Sequence, residues 1–225
     1  LYVARRREER DVATLFLLDM SASTDEAVNP LPPAAGEDGA IRHPAPARPR
    51  RIIDITKEAL VIMAEALDEL GDRYAIYGFS GQGRHNVEFY PVKRFHDGLG
   101  PGVRGRIGGI EPRRSTRMGT ALRHAMTKLV NLPARSKHIL LLSDGFPQDF
   151  DYGNDRRSNT YGIQDTMMAL QECQSAGITP FCITVDKTGH DYLRQMCETS
   201  RYLVIEDVSS LPTELPKIYE RWVHN

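Results

Sequence analysis

Three short stretches of the chain carry residues whose types and spacing could do chemistry. "LLDMSAST" (17–24) places Asp19, Ser21 and Ser23 in D-x-S-x-S order directly after an apolar run. "LLSDG" (141–145) again ends an apolar run in a hydroxyl and a carboxylate, Ser143 and Asp144. Between them, "RRSTRMGTAL" (113–122) offers Thr116, with Ser115 and Thr120 as the competing hydroxyls. Two carboxylates with several hydroxyls make an all-oxygen set, which suits a hard cation such as Mg²⁺, with Mn²⁺ or Ca²⁺ as alternatives. The competing uses are a carboxylate nucleophile at Asp19 and plain helix capping, for which Asp, Ser and Thr are good residues.

These residues can meet only if the elements before them end at one edge. Val12–Leu18 is a continuous apolar run of strand length, as expected for a strand buried on both faces. Lys137–Gly145 reads as a second such strand. Apolar residues at helical spacing from Ile52 to Leu70, stopped by Gly71, predict a helix. Arg73–Ser80 and Val87–Phe95 read as a hairpin, with Pro91 marking an edge strand because it has no N–H for a ladder. Helices are expected over Gly119–Leu132, Tyr161–Ala176, Asp191–Met196 and Ser210–Val223, and strands over Ile178–Asp186 and Arg201–Asp207. Alternating strands and helices predict an α/β fold, a three-layer Rossmann-like domain whose mostly parallel sheet has one antiparallel edge strand. Ligands of such sheets sit beyond the carboxyl ends of the strands, where Asp19 and Asp144 should both emerge.

Other features narrow the function class. The chain has 225 residues, with 29 Lys+Arg against 30 Asp+Glu, so no global charge points to nucleic acid or a membrane surface. No apolar run approaches the roughly 20 residues of a spanning helix. Residues 1–225 read as one domain with a flexible Pro/Ala/Gly-rich insertion at 28–51, and the charged start without an initiator Met suggests the C-terminal part of a longer protein. Cys173, Cys182 and Cys197 form no C-x-x-C pair and read as reduced core thiols of a cytoplasmic protein. Gly100–Gly105 formally satisfies G-x-G-x-x-G, but it follows no clear strand and holds Pro101, so it reads as a mobile loop. "DFDYGND" (149–155) has Gly153 one place early for a calcium loop and reads as a solvated acidic loop.

The three stretches, in order and spacing, resemble the metal-ion-dependent adhesion site of von Willebrand factor type A domains, and the likeness runs from about Asp11 to Trp222. The resemblance implies that Ser21, Ser23 and Thr116 bind the cation directly and that Asp19 and Asp144 act through coordinated waters. It implies further that a carboxylate from a partner protein fills the remaining position, without catalysis. "STRMGTALRHA", "SDGFPQDFDYG", "YGIQDTMMAL", "PFCITVD" and "HDYL" resemble the type A domain of the NorD/CbbO group. That likeness implies an adaptor between a MoxR-type AAA+ ATPase (NorQ or CbbQ) and a client, either Rubisco or nitric oxide reductase. The alternative is a phosphohydrolase of haloacid-dehalogenase type using Asp19. Those enzymes need a second Asp two residues on, where Ser21 stands here. Arg113, Arg114 and Arg117 surround Thr116 and are expected to steer an acidic partner towards the metal.

Overall fold

The computed structural model describes residues 11–28, 49–152, 160–198 and 201–223. Among them six strands, β1 (Val12–Asp19), β2 (Arg73–Gly81), β3 (Val87–Lys93), β4 (Ser136–Ser143), β5 (Thr179–Thr184) and β6 (Tyr202–Val204), form one sheet in the order β3-β2-β1-β4-β5-β6. All neighbours are parallel except β2 and β3, the expected hairpin, whose edge strand carries Pro91. The α-helices that cover the faces are α1 (Ile52–Leu70), α2 (Pro101–Gly108), α3 (Met118–Leu129), α4 (Thr160–Ser175), α5 (Gly189–Met196) and α6 (Leu211–Val223).

The unbroken apolar run of β1 follows from its central place. Ala13, Leu15 and Leu17 enter one core with α3, α4 and α5, while Phe16 and Leu18 enter the other with α1, α2 and α6. Successive side chains alternate across a strand, so a strand covered on both sides needs no polar position until its end. Fully burying each of these leucines or Phe16 contributes about 2 kcal/mol. The helix over Ile52–Leu70 ends as expected, with Gly71 left-handed at φ 74° and its N–H bonded to the carbonyls of Leu67 and Asp68.

The segment around Gly100–Gly105 corrects the sequence reading. It is the helix α2, with Pro101 at its first turn and with Val103 and Ile107, four apart, buried against the core. With only these two apolar residues buried, it shows too little periodicity to be read from the sequence. The last strand is also shorter than expected, three residues rather than seven. Most of the 28–51 insertion, residues 29–48, lies outside the described residues, as do residues 153–159, which include the end of the acidic loop. The insertion's two ends are stitched together, since Val28 N–H donates to Arg50 O at 2.8 Å and Ala27 bridges Arg51. Among the described residues, no helix is long and apolar enough to cross a membrane.

Candidate metal centre

Adjacent parallel strands β1 and β4 run in register, Leu18 beside Leu142, so Asp19 and Ser143–Asp144 leave the sheet at the same edge. Asp19 is 1 % exposed. Its Oδ1 accepts the Ser21 N–H at 2.8 Å, and its Oδ2 accepts the Ser143 hydroxyl at 2.8 Å. Ser21 Oγ lies 2.9 Å from Ser23 Oγ and 3.4 Å from Asp144 Oδ1. Thr116 Oγ1 stands 3.4 and 3.5 Å from the two Asp19 oxygens. Asp19, Ser21, Ser23, Thr116 and Asp144 are therefore brought together.

Backbone bonds place Thr116 there. Arg113 N–H donates to Met20 O, Ala22 N–H to Arg114 O, and Ser115 and Gly81 exchange both of their bonds, all at 2.7–2.9 Å. Thr116 N–H donates to Gln148 O at 2.9 Å. Thr116 is buried, whereas Thr120 is exposed on the first turn of α3, and Ser115, bridged to Gly81 through its backbone, also lines the cleft. Among the three candidate hydroxyls, Thr116 alone faces Asp19 in the structure's hydrogen bonds.

The electrostatics of the set are unfavourable as they stand. Burial, and then the nearby Asp144 carboxylate, push the Asp19 carboxyl up to about 7, against the pull of hydrogen bonds from Ser143 and Ser21. Burial also raises Asp144, with hydrogen bonds from Ser23 and Ser21 opposing it. Asp144 Oδ2 is buried with no hydrogen-bond partner. A buried carboxylate oxygen without a donor, beside a second carboxylate and three hydroxyls, fits a hard cation by donor chemistry. Among the described residues, no three His, Cys, Asp or Glu side chains are grouped to hold a metal. A cation here would therefore depend on the hydroxyls. Ser21, Ser23, Thr116 and Asp144 line a cleft of about 470 Å³. Asp19 sits behind them, out of its lining.

Arg117 corrects the expectation of three steering arginines. Its side chain is 10 % exposed, bonded to Asp149 at 2.9 Å and to Asp151, and stacked over Tyr152 with 4.4 Å to the ring centroid. A guanidinium committed to two carboxylates has no charge left for a partner. Arg113 and Arg114 remain exposed, Arg113 over the Tyr90 ring and Arg114 bonded to Gln82. Sequence reasoning missed the roles of Ser143, which orients Asp19, and of Asp149, which looked like one of several loop acids. The Ser143-Asp144-Gly145 pattern held the first signal; nothing local marks the second.

The description "von Willebrand factor type A domain" matches residues 49–221. That match starts at the end of the insertion and so leaves out β1 and Asp19-x-Ser21-x-Ser23. The chain is 37 % identical over 98 % of its length to an uncharacterized protein of Pseudomonas aeruginosa, covering 32 % of that protein. It is 35 % identical over 92 % of its length to Protein NorD of Stutzerimonas stutzeri, covering 30 % of it. The chain thus spans about a third of the length of these relatives. Among solved structures, the PilB minor pilin of Streptococcus sanguinis superposes with a TM-score of 0.70 at 17 % identity, over 96 % of this chain and 62 % of that one. At that identity the likeness is one of fold.

Proposed function

The chain belongs to the von Willebrand factor type A family, and from that premise we propose that it is a non-catalytic, Mg²⁺-dependent protein-binding module. The observation that carries the reading is the unpartnered, buried Oδ2 of Asp144, set beside Asp19 and the hydroxyls of Ser21, Ser23 and Thr116. Ser21, Ser23 and Thr116 would hold the cation, with Asp144 beside them in the cleft and Asp19 behind. Bound there, Mg²⁺ would supply a hard electrophilic contact for a carboxylate oxygen of another protein. Asp19 is fixed by Ser143 and the Ser21 N–H, so it orients the hydroxyl ligands. That burial also argues against the phosphohydrolase alternative, because a nucleophile must face the cleft.

The relatives named NorD support a wider role for the parent protein. In this reading the module belongs to an adaptor that presents a client, of the nitric oxide reductase type in preference to Rubisco, to a MoxR-type AAA+ ATPase. The test is a calorimetric Mg²⁺ titration alongside co-purification with a co-expressed NorQ-like ATPase and its client. Asp19→Ala and Ser21→Ala should abolish Mg²⁺ binding, and EDTA should abolish client capture. Capture that survives EDTA and both substitutions would sink the proposal.

A further inference from the structure

Phe150 stands on the lip of the same cleft, 53 % exposed. Its two neighbours in sequence are tied down instead. Asp149 accepts the N–H groups of Gly83 at 2.9 Å and of Phe150 itself at 2.7 Å, together with the Arg117 guanidinium. Asp151 accepts the Arg84 N–H at 2.8 Å and also pairs with Arg117. The chain on both sides of the ring is thus tied to other segments. It lies against Gly83, where a Cβ would come within 2.8 Å of Phe150 Cζ. A large apolar side chain exposed between two ion-paired carboxylates, one of them buried, is an informative exposure, unlike a lone apolar residue on a loose loop.

The cleft is lined by unlike groups. Phe146, Pro147 and Phe150 are apolar, and Arg114 is basic; Asp149 and Asp186 join Asp144 as carboxylates, Asp149 already paired with Arg117. Arg113 lies beside Arg114 in sequence; both arginines are exposed, and among the described residues neither pairs with a carboxylate. Ser21, Ser23 and Thr116 line the same cleft.

We propose that the partner is an acidic segment carrying a large apolar or aromatic side chain within a few residues of the carboxylate that enters the centre, and that Phe150 with Phe146 and Pro147 receives that side chain. The inference rests on the metal-dependent reading above and adds what that reading lacks, a source of selectivity. Any exposed Asp or Glu can offer an oxygen to a cation. Apolar side chains and an unpaired arginine in the same cleft select sequence around that carboxylate, and aromatic contacts usually dominate such interfaces.

The test uses a phage-displayed peptide library with one fixed Glu and random flanks, selected on the domain in Mg²⁺ and in EDTA. Enrichment of Phe, Tyr, Trp, Leu or Met near the Glu is expected in Mg²⁺ alone. Phe150→Ala should weaken the selected peptides about tenfold, and Phe150→Leu should restore most of that loss. The Mg²⁺ affinity of both variants should match the parent's. Mg²⁺-dependent peptides without an apolar preference, or a preference untouched by Phe150→Ala, would overturn this inference while leaving the metal reading standing. Apolar peptides that bind equally in EDTA would overturn the metal reading and this inference with it. Selection of no peptide at all would overturn the inference.

Discussion

Asp19 and Asp144 share one rim, each raised by burial and Asp19 further by its neighbour's charge. With its carboxyl pushed up to about 7, Asp19 holds a proton in the metal-free fold that the unfolded chain releases near 3.8. This contribution to stability is present below the unfolded value and is lost as pH rises through the folded one. A cation competes with that same proton, so Mg²⁺ affinity should fall about tenfold per pH unit below 7, read by calorimetry at pH 8, 7 and 6. Asp144→Asn removes one of two charges that repel each other and leaves the shape nearly unchanged. It should abolish Mg²⁺ binding, yet in EDTA at pH 8 stabilise the domain by about 1 kcal/mol, read as a raised melting temperature. A lowered melting temperature would mean that Asp144 serves the fold and not a ligand.

At the scale of elements, the segment before α3 and the loop after β4 are tied to each other before either touches a ligand. Arg117 follows Thr116 directly and pairs with Asp149 and Asp151, while Thr116 N–H donates to Gln148 O. Asp149 is fully buried at its side chain, so removing its partner strands a charge. Arg117→Met should destabilise the domain by about 3 kcal/mol, seen as a shifted denaturation midpoint, and should weaken Mg²⁺ binding because Thr116 moves with its neighbour. The pairing was invisible in the sequence for a physical reason. Arg117 and Asp149 are 32 positions apart, on loops whose conformations are set by other bonds, and an arginine in a polar stretch reads as solvated. Asp19, Ser21, Ser23 and Asp144 were legible because each closely follows a long apolar run, whose burial fixes where the run must stop. α2 was not, because two apolar residues among glycines carry too little period to be told from a loop.

Across the whole molecule, the edge of the sheet opposite the centre carries its own titration. His138, near the start of β4, is buried with neither ring nitrogen hydrogen-bonded, and packs edge-on against Trp222 of α6 at 4.7 Å. Burial lowers its basicity from 6.5 to about 4. Between those values the unfolded chain takes up a proton that the fold refuses, so His138 costs stability increasingly as pH falls from 6.5 towards 4. Against the parent, His138→Leu should therefore gain about 2 kcal/mol of relative stability between pH 7 and pH 5, measured by urea denaturation. A difference that does not change with pH would show that the histidine titrates normally. This effect opposes that of Asp19 in sign, so the comparison between variant and parent isolates it.

The sequence by itself determined the layered α/β architecture, the strand ends and most of the residues at the candidate centre. Those depend on local burial patterns and on where apolar runs stop. Only the tertiary structure set the Thr116 hydroxyl against Asp19, withdrew Arg117 from the surface, and left Phe150 facing outwards. Each of these turns on bonds between segments far apart in the chain, and no spacing within one segment records them.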